Sequence, residues 1–216
     1  MTITLTAFRW VPPFAQGYVR DLRVRWALEE AGLPYEVTFV DQKLLNTADF
    51  LAWQPFAQVP AYRDEAVEMF ESGAIVLHIA GKSAALSPAD PAGRARVTTW
   101  VLAALNSVEP QVGEFTALDT FYAGKAWAAE RRPDAEAAVH RRLDRLAVWL
   151  GDKDYLEGSF TAGDLMMTTV LRNLVNSGVL AQHPTLDAYR RRCEARPGFV
   201  RALEAQLQPF RENAPA

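Results

Sequence analysis

QPFAQVPAYRDEAVEMFESGAIVLHIA, residues 54 to 80, changes period twice in a short span. Val59 to Tyr62 reads as extended chain led by a proline, and Asp64 and Glu65 supply a turn before AVEMF, the next extended piece. SGAIVLHIA then switches to helical spacing, with Ile75, Val76 and Ile79 near one packed side. Upstream lie a short helix at about 47 to 53 and the strand-period segment YEVTFV at 35 to 40. From about Asp21, LRVRWALEEAG puts Val24, Ala27, Leu28 and Ala31 on one helical face, and Gly32 and Pro34 stop it. At the start, Ile3, Leu5 and Ala7 alternate with threonines, so TITLTAF reads as a strand with one face on a core. The order is strand, helix, strand, helix, strand, strand, helix: an α/β unit whose first strand, helix and strand have the spacing of a parallel crossover.

Beyond the Pro, Gly and Ser containing stretch GKSAALSPADPAG, residues 81 to 93, the pattern is helical almost throughout. Runs are expected at about 92 to 116, 134 to 150, 162 to 176, 184 to 195 and 198 to 207, consistent with a second, all-helical domain. Residues 1 to 80 carry 6 basic and 10 acidic residues, and residues 81 to 216 carry 17 and 16. The total of 23 against 26, without a long block of one sign, gives no nucleic-acid or anionic-membrane footprint. ERRPD and RRRCEAR read as solvated helix faces. A composition that is 50% hydrophobic excludes disorder, and one cysteine, Cys193, excludes an internal disulfide scaffold. Arg9, Pro12 and Pro13 interrupt any secretory core, so a cytoplasmic location is expected. No metal is expected, since His78, His140 and His183 are isolated in sequence and no zinc, P-loop or dinucleotide fingerprint occurs.

Three local features bear on chemistry. Pro60 is either an ordinary trans strand-start proline or a cis one, and a cis bond would turn the N–H and C=O of Val59 toward a peptide-like ligand. Glu71-Ser72 opens a helix whose free N–H groups either are capped by Ser72 or, with it, hold a carboxylate. FTAGD places Thr161 at an N-cap with Asp164 three residues on, a structural cap.

RVRWALEEAGLPYEV at 23 to 37, QPFAQVPAY at 54 to 62, ESGAIVLHIA at 71 to 80 and then FTAGD occur in an order and spacing that resemble cytosolic-type glutathione S-transferases, with the chain read as a bacterial member. The resemblance covers nearly the whole chain. It implies a thioredoxin-like domain at 1 to 82, a linker at 83 to 92 and an all-α domain at 93 to 216. It also implies a cis Pro60, with Val59 pairing with the cysteinyl part of glutathione and Glu71 and Ser72 holding its γ-glutamyl end. Gln58, with Gln42 or Lys43, falls to the glycyl end. Reduced glutathione is then a cosubstrate, with no prosthetic group.

The first loop departs from the pattern. Aligning Arg23 to Arg25 with serine-type relatives puts Tyr18 at their catalytic serine position, whereas Phe8, Arg9 and Trp10 stand where tyrosine-type relatives carry their hydroxyl. By this resemblance Tyr18 hydrogen-bonds the thiolate, and Arg20 or the main chain at Gln16 and Gly17 shares the work. Trp10, Phe14, Trp100 and Asn106 would border the electrophile pocket. The expected activity is conjugation of glutathione to a small apolar electrophile. Its rivals are peroxide or disulfide reduction and noncatalytic ligand binding. A homodimer is also implied.

Overall fold

The computed structural model describes residues 2–215. Four strands, β1 (Ile3–Phe8), β2 (Tyr35–Val40), β3 (Ala61–Arg63) and β4 (Glu68–Phe70), form one sheet in the order β2-β1-β3-β4. β1 runs parallel to β2, Leu5 beside Val37, and antiparallel to β3, Leu5 beside Tyr62; β4 returns antiparallel along β3. The parallel pair demands a crossover, which α1 (Asp21–Ala31) supplies. Two short helices, α2 (Gln42–Leu45) and α3 (Ala48–Trp53), stand where one was expected: Asp41 and Thr47 each accept a backbone N–H and cap a separate helix. α4 (Ser72–Ala80) follows β4.

β1 corrects the one-faced reading. Thr6 is as buried as Leu5 and Ala7, because a central strand in a sheet with a parallel pair is covered on both faces. Its hydroxyl is satisfied by accepting the Ala61 N–H at 2.7 Å. α1 is buried from Asp21 through Leu28, wider than the apolar stripe of its sequence. The cause is α10 (Pro197–Glu212), which lies along it. Arg196 forks onto Glu30 (2.8 and 2.7 Å), Arg201 reaches Glu29 (2.7 Å), and Phe199 meets Trp26 edge-on at 4.8 Å. Gly32, at φ 66°, ends α1 in the left-handed conformation that glycine adopts without steric cost.

The chain divides into two compact units, one of residues up to Pro88 with those from Arg196 onward, the other Ala89–Ala195. The α10 contacts therefore move residues 196–215 out of the helical domain in which the sequence reading put them.

The second unit contains α5 (Pro91–Ala103), a widened π-type turn at Ala104–Val108, α6 (Glu109–Thr120), α7 (Ala126–Leu150), α8 (Ala162–Arg172) and α9 (Pro184–Glu194). α7 begins well before the expected residue 134 and contains Pro133. That proline is exposed, and Arg131 and Arg132 just before it bind Glu114 and Asp119 of α6. Thr161 and Asp164 make a reciprocal cap on α8, and Asp164 also accepts from the Leu156 N–H and the Tyr189 hydroxyl. Buried Cys193 lies in α9. No helix among the described residues is long and apolar enough to cross a membrane.

Candidate functional site

Of the candidate residues in the first unit, Val59, Pro60, Glu71 and Ser72 come together at one end of the β3–β4 pair. Val59–Pro60 is cis, the isomer the resemblance implied. Ala61 pairs with Phe70, so Pro60 and Glu71 are the next residues along two adjacent antiparallel strands. The Val59 side chain is anchored among Val40, Leu45 and Phe50, and the Thr6 hydroxyl holds the Ala61 N–H. Both anchors fix the main chain on either side of the cis bond.

Glu71 is exposed and adopts φ 71°, ψ 111°, a region that costs a non-glycine residue about 1–3 kcal/mol and that clusters at ligand clamps. Ser72 follows as the first residue of α4, 4% exposed, and its hydroxyl accepts from Arg23 Nη1 at 3.3 Å. A guanidinium, a hydroxyl and a helix N-terminus thus meet, an arrangement suited to a carboxylate. Arg23 was not singled out as a site residue from the sequence; the signal was there, as a basic residue beside Val24 on the packed side of α1.

The loop between β1 and α1 carries Tyr18 and Arg20. Pro13–Ala15 form a short 3-10 turn, Gln16 donates to the Val11 carbonyl at 3.0 Å, and Gly17 sits at φ 82°. Tyr18 is half-buried, Arg20 is exposed, and Phe14 is 61% exposed. The end of the loop is pinned from α10: the Gln206 amide donates to the Val19 carbonyl (3.1 Å) and to Asp21 (2.6 Å), which also binds Arg25 at 2.7 Å. Burial pushes the Asp21 carboxyl up, against the pull of Arg25 and Gln206. Sequence reading missed this clamp, whose members are far apart in the chain.

A hollow of about 600 Å³ in the same unit is lined by Phe8, Trp10, Val11, Val40, Gln42 and the tail at Asn213 and Ala214, with Arg9 and Asp41 at its wall. Trp10 therefore faces a cavity, while Tyr18, Pro60 and Ser72 are not among its lining residues. Gln58 is exposed. Trp100 and Asn106 belong to the second unit, where the Trp100 indole donates to Glu157 at 2.8 Å and packs on Trp149 at 5.3 Å; Asn106 is exposed on the widened turn.

The histidines are less isolated than their spacing suggested. His140 Nδ1 and His183 Nε2 lie 2.8 Å apart, and His78 Nε2 lies 2.8 Å from Asp64. Among the described residues no group of three or more His, Cys, Asp or Glu side chains is placed to hold a metal.

A family model for the glutathione S-transferase N-terminal domain matches residues 14–81. Glutathione S-transferase 3 of Zea mays is 31% identical over 207 residues, covering 85% of this chain and 88% of that protein. The chain belongs to the glutathione S-transferase family. A glutathione transferase of Burkholderia graminis, solved with two glutathione molecules bound per subunit, superposes with a TM-score of 0.80 at 27% identity over 94% of this chain and 88% of the other. A family member from Pseudomonas fluorescens, solved with two glutathione bound, gives 0.82 at 25% identity over 94% and 92%.

Proposed function

We propose that the first unit binds reduced glutathione and that the protein transfers its thiolate to a small apolar electrophile. The observation that carries the reading is the register of β3 and β4, which sets the cis Val59–Pro60 bond beside the Glu71–Ser72 start of α4. Glutathione is a peptide with an ammonium and a carboxylate at its γ-glutamyl end. In this reading Glu71 takes the ammonium, Ser72 with the α4 N–H groups takes the carboxylate, and Val59 pairs with the cysteinyl main chain. Gln58, with Gln42 or Lys43, takes the glycyl end.

The thiol is then directed to the β1–α1 loop, where the Tyr18 hydroxyl donates to sulfur and Arg20 adds positive field, lowering the thiol pKa. The thiol proton leaves to water. The sulfur electron pair forms the new S–C bond while the electrophile's leaving group departs with its own pair, or a conjugated double bond accepts the electrons. Trp10 and Phe14 offer apolar surface to that partner. Trp100 and Asn106 stay in the proposal as further pocket residues, and the active species as a homodimer.

Calorimetry with reduced glutathione, combined with thiolate absorbance across pH and turnover of 1-chloro-2,4-dinitrobenzene, tests the reading. Saturable binding, a depressed thiol pKa and conjugate formation are expected. Binding without the pKa shift withdraws the transferase in favour of a binding protein, turnover of hydroperoxide alone assigns reduction, and absence of binding overturns the whole reading. Sedimentation velocity measures the dimer.

A further inference from the structure

The clamp at the end of the β1–α1 loop begins with a proline. In a helix the N–H of each residue donates to the carbonyl four residues back, so Pro209, which has no N–H, leaves the Ala205 carbonyl of α10 without its ladder donor. Arg25 Nη1 donates to that carbonyl at 3.2 Å. Arg25 Nε holds Asp21 at 2.7 Å, and the amide of Gln206, next to Ala205, donates to the same carboxylate at 2.6 Å. The bonds thus run from α10 to α1 and back to α10. Asp21, Arg25 and Gln206 are each no more than 2% exposed, so each needs these partners in place of water.

Gln206 also donates to the Val19 carbonyl at 3.1 Å, outside that ring. With an acceptor before each of its N–H groups the amide is fixed in orientation, since its oxygen would be repelled by either. Val19 follows Tyr18, whose own N–H donates to the Ala15 carbonyl at 3.0 Å. The main chain is therefore held on both sides of Tyr18, from within the loop on one side and from α10 on the other. Two turns along α10 from Gln206, Asn213 and Ala214 line the same hollow as Trp10, Val11 and Pro12, so the helix meets the loop near its start as well. The loop needs this support, because Gly17, at φ 82° directly before Tyr18, is the residue type with the least conformational preference of its own.

We propose that Gln206 is a positioning residue for thiolate activation, a role that rests on the glutathione reading above. By holding Val19 and Asp21 it sets where Tyr18 meets the sulfur, and α10 thereby controls activation from outside the peptide-binding residues. The β3–β4 end and the start of α4 then govern affinity, and the α10 clamp governs the reactivity of the bound thiol. A displacement of about 1 Å at a reacting group costs on the order of a hundredfold in rate, whereas the peptide contacts lie on other elements.

The test uses the full chain. Gln206→Met keeps the length of the side chain and removes both donors, and Arg201→Gln is the control, because it breaks another bond from α10 to α1, at Glu29, away from the loop. In Gln206→Met the bound thiol's pKa, read from thiolate absorbance, is expected to rise. Its kcat for 1-chloro-2,4-dinitrobenzene near neutral pH should fall about tenfold or more, while calorimetric glutathione Kd stays within about twofold. Amide exchange of the ligand-free chain should quicken from Gln16 to Leu22. Arg201→Gln should show none of these changes, and urea denaturation compares the stability of the two variants. If Gln206→Met fails to fold, Gln206→Asn, which keeps the amide but draws it back by one methylene, carries the same expectations. A parent chain that conjugates glutathione and a Gln206 variant that matches it in thiol pKa and kcat overturn the proposal alone. So do equal changes in both variants, which would reduce the clamp to ordinary helix packing. A parent that binds no glutathione overturns the glutathione reading and this role with it.

Discussion

Ser72 is the residue at which the proposed glutathione site is most directly tested. It is the first residue of α4 and it accepts from Arg23 at 3.3 Å, so its hydroxyl is already oriented before any ligand arrives. If Ser72 holds the glutathione carboxylate as proposed, Ser72→Ala removes one hydrogen bond to it, and glutathione Kd measured by calorimetry should rise about tenfold. Unaltered affinity would move the γ-glutamyl end elsewhere. In the proposed reading Tyr18 acts on sulfur and leaves peptide binding to the cis-proline and α4 contacts. Tyr18→Phe should therefore lower kcat and raise the bound thiol's pKa while Kd stays within about a factor of two. If thiol titration and turnover are unchanged, the activator is another group on the loop.

Elements are held by a few obligatory contacts more than by their own propensity. At the start of α8, a side chain on Gly163 would place its Cβ 2.6 Å from the Trp100 Cβ on α5. Neither backbone can yield cheaply, because Thr161 and Asp164 cap α8 at that turn and Trp100 is tied to Glu157. Gly163→Ala should cost about 1–3 kcal/mol of second-unit stability, read from urea denaturation. A cost below a few tenths would mean that the α5–α8 pair slides to accommodate a methyl. α1 and α10 are joined by the other kind of contact, ion pairs from Arg196 and Arg201 to Glu30 and Glu29 around the Trp26–Phe199 contact. By clamping Asp21 through Gln206, α10 also sets where the Tyr18 loop ends.

Across the molecule, the two units are expected to respond to acid at different pH. In the second unit, burial, then the neighbouring His140, holds His183 below its ordinary value of about 6.5. The unfolded chain therefore takes up this proton first, and the contribution to stability is whole above about pH 6.5 and falls as pH drops below it. In the first unit, burial alone would raise Asp64, but Lys82 and His78, aided by the Ala66 N–H and the Tyr62 hydroxyl, hold it far below the usual carboxylate range. Its stabilisation is intact above that range and is lost only in strong acid. Calorimetric melting from pH 8 to pH 4.5 should lower the second unit's transition first, and His183→Gln should flatten that decline. Parallel decline of both units in the variant and the parent would remove the His140–His183 pair as the cause.

The periodicities of residues 3 to 40 and 71 to 80 determine local conformation directly, because side chains at spacing 2 or 3.6 must reach a common face whatever packs on it. The strand, helix and strand at the start, the stop at Gly32 and the cap at Thr161 and Asp164 were readable for that reason, and family resemblance pointed to Val59–Pro60 and Glu71–Ser72 as the proposed site. What no period encodes is which distant element covers a polar face. That α10 belongs to the first unit, that Arg23 underlies Ser72, that Thr6 is buried and that Gln206 grips Asp21 follow from long-range burial, since each polar group had to find a partner once water was excluded. Pro133 inside α7 is equally unreadable: local chemistry disfavours it there, and the tertiary structure alone places it within a helix packed and ion-paired to α6.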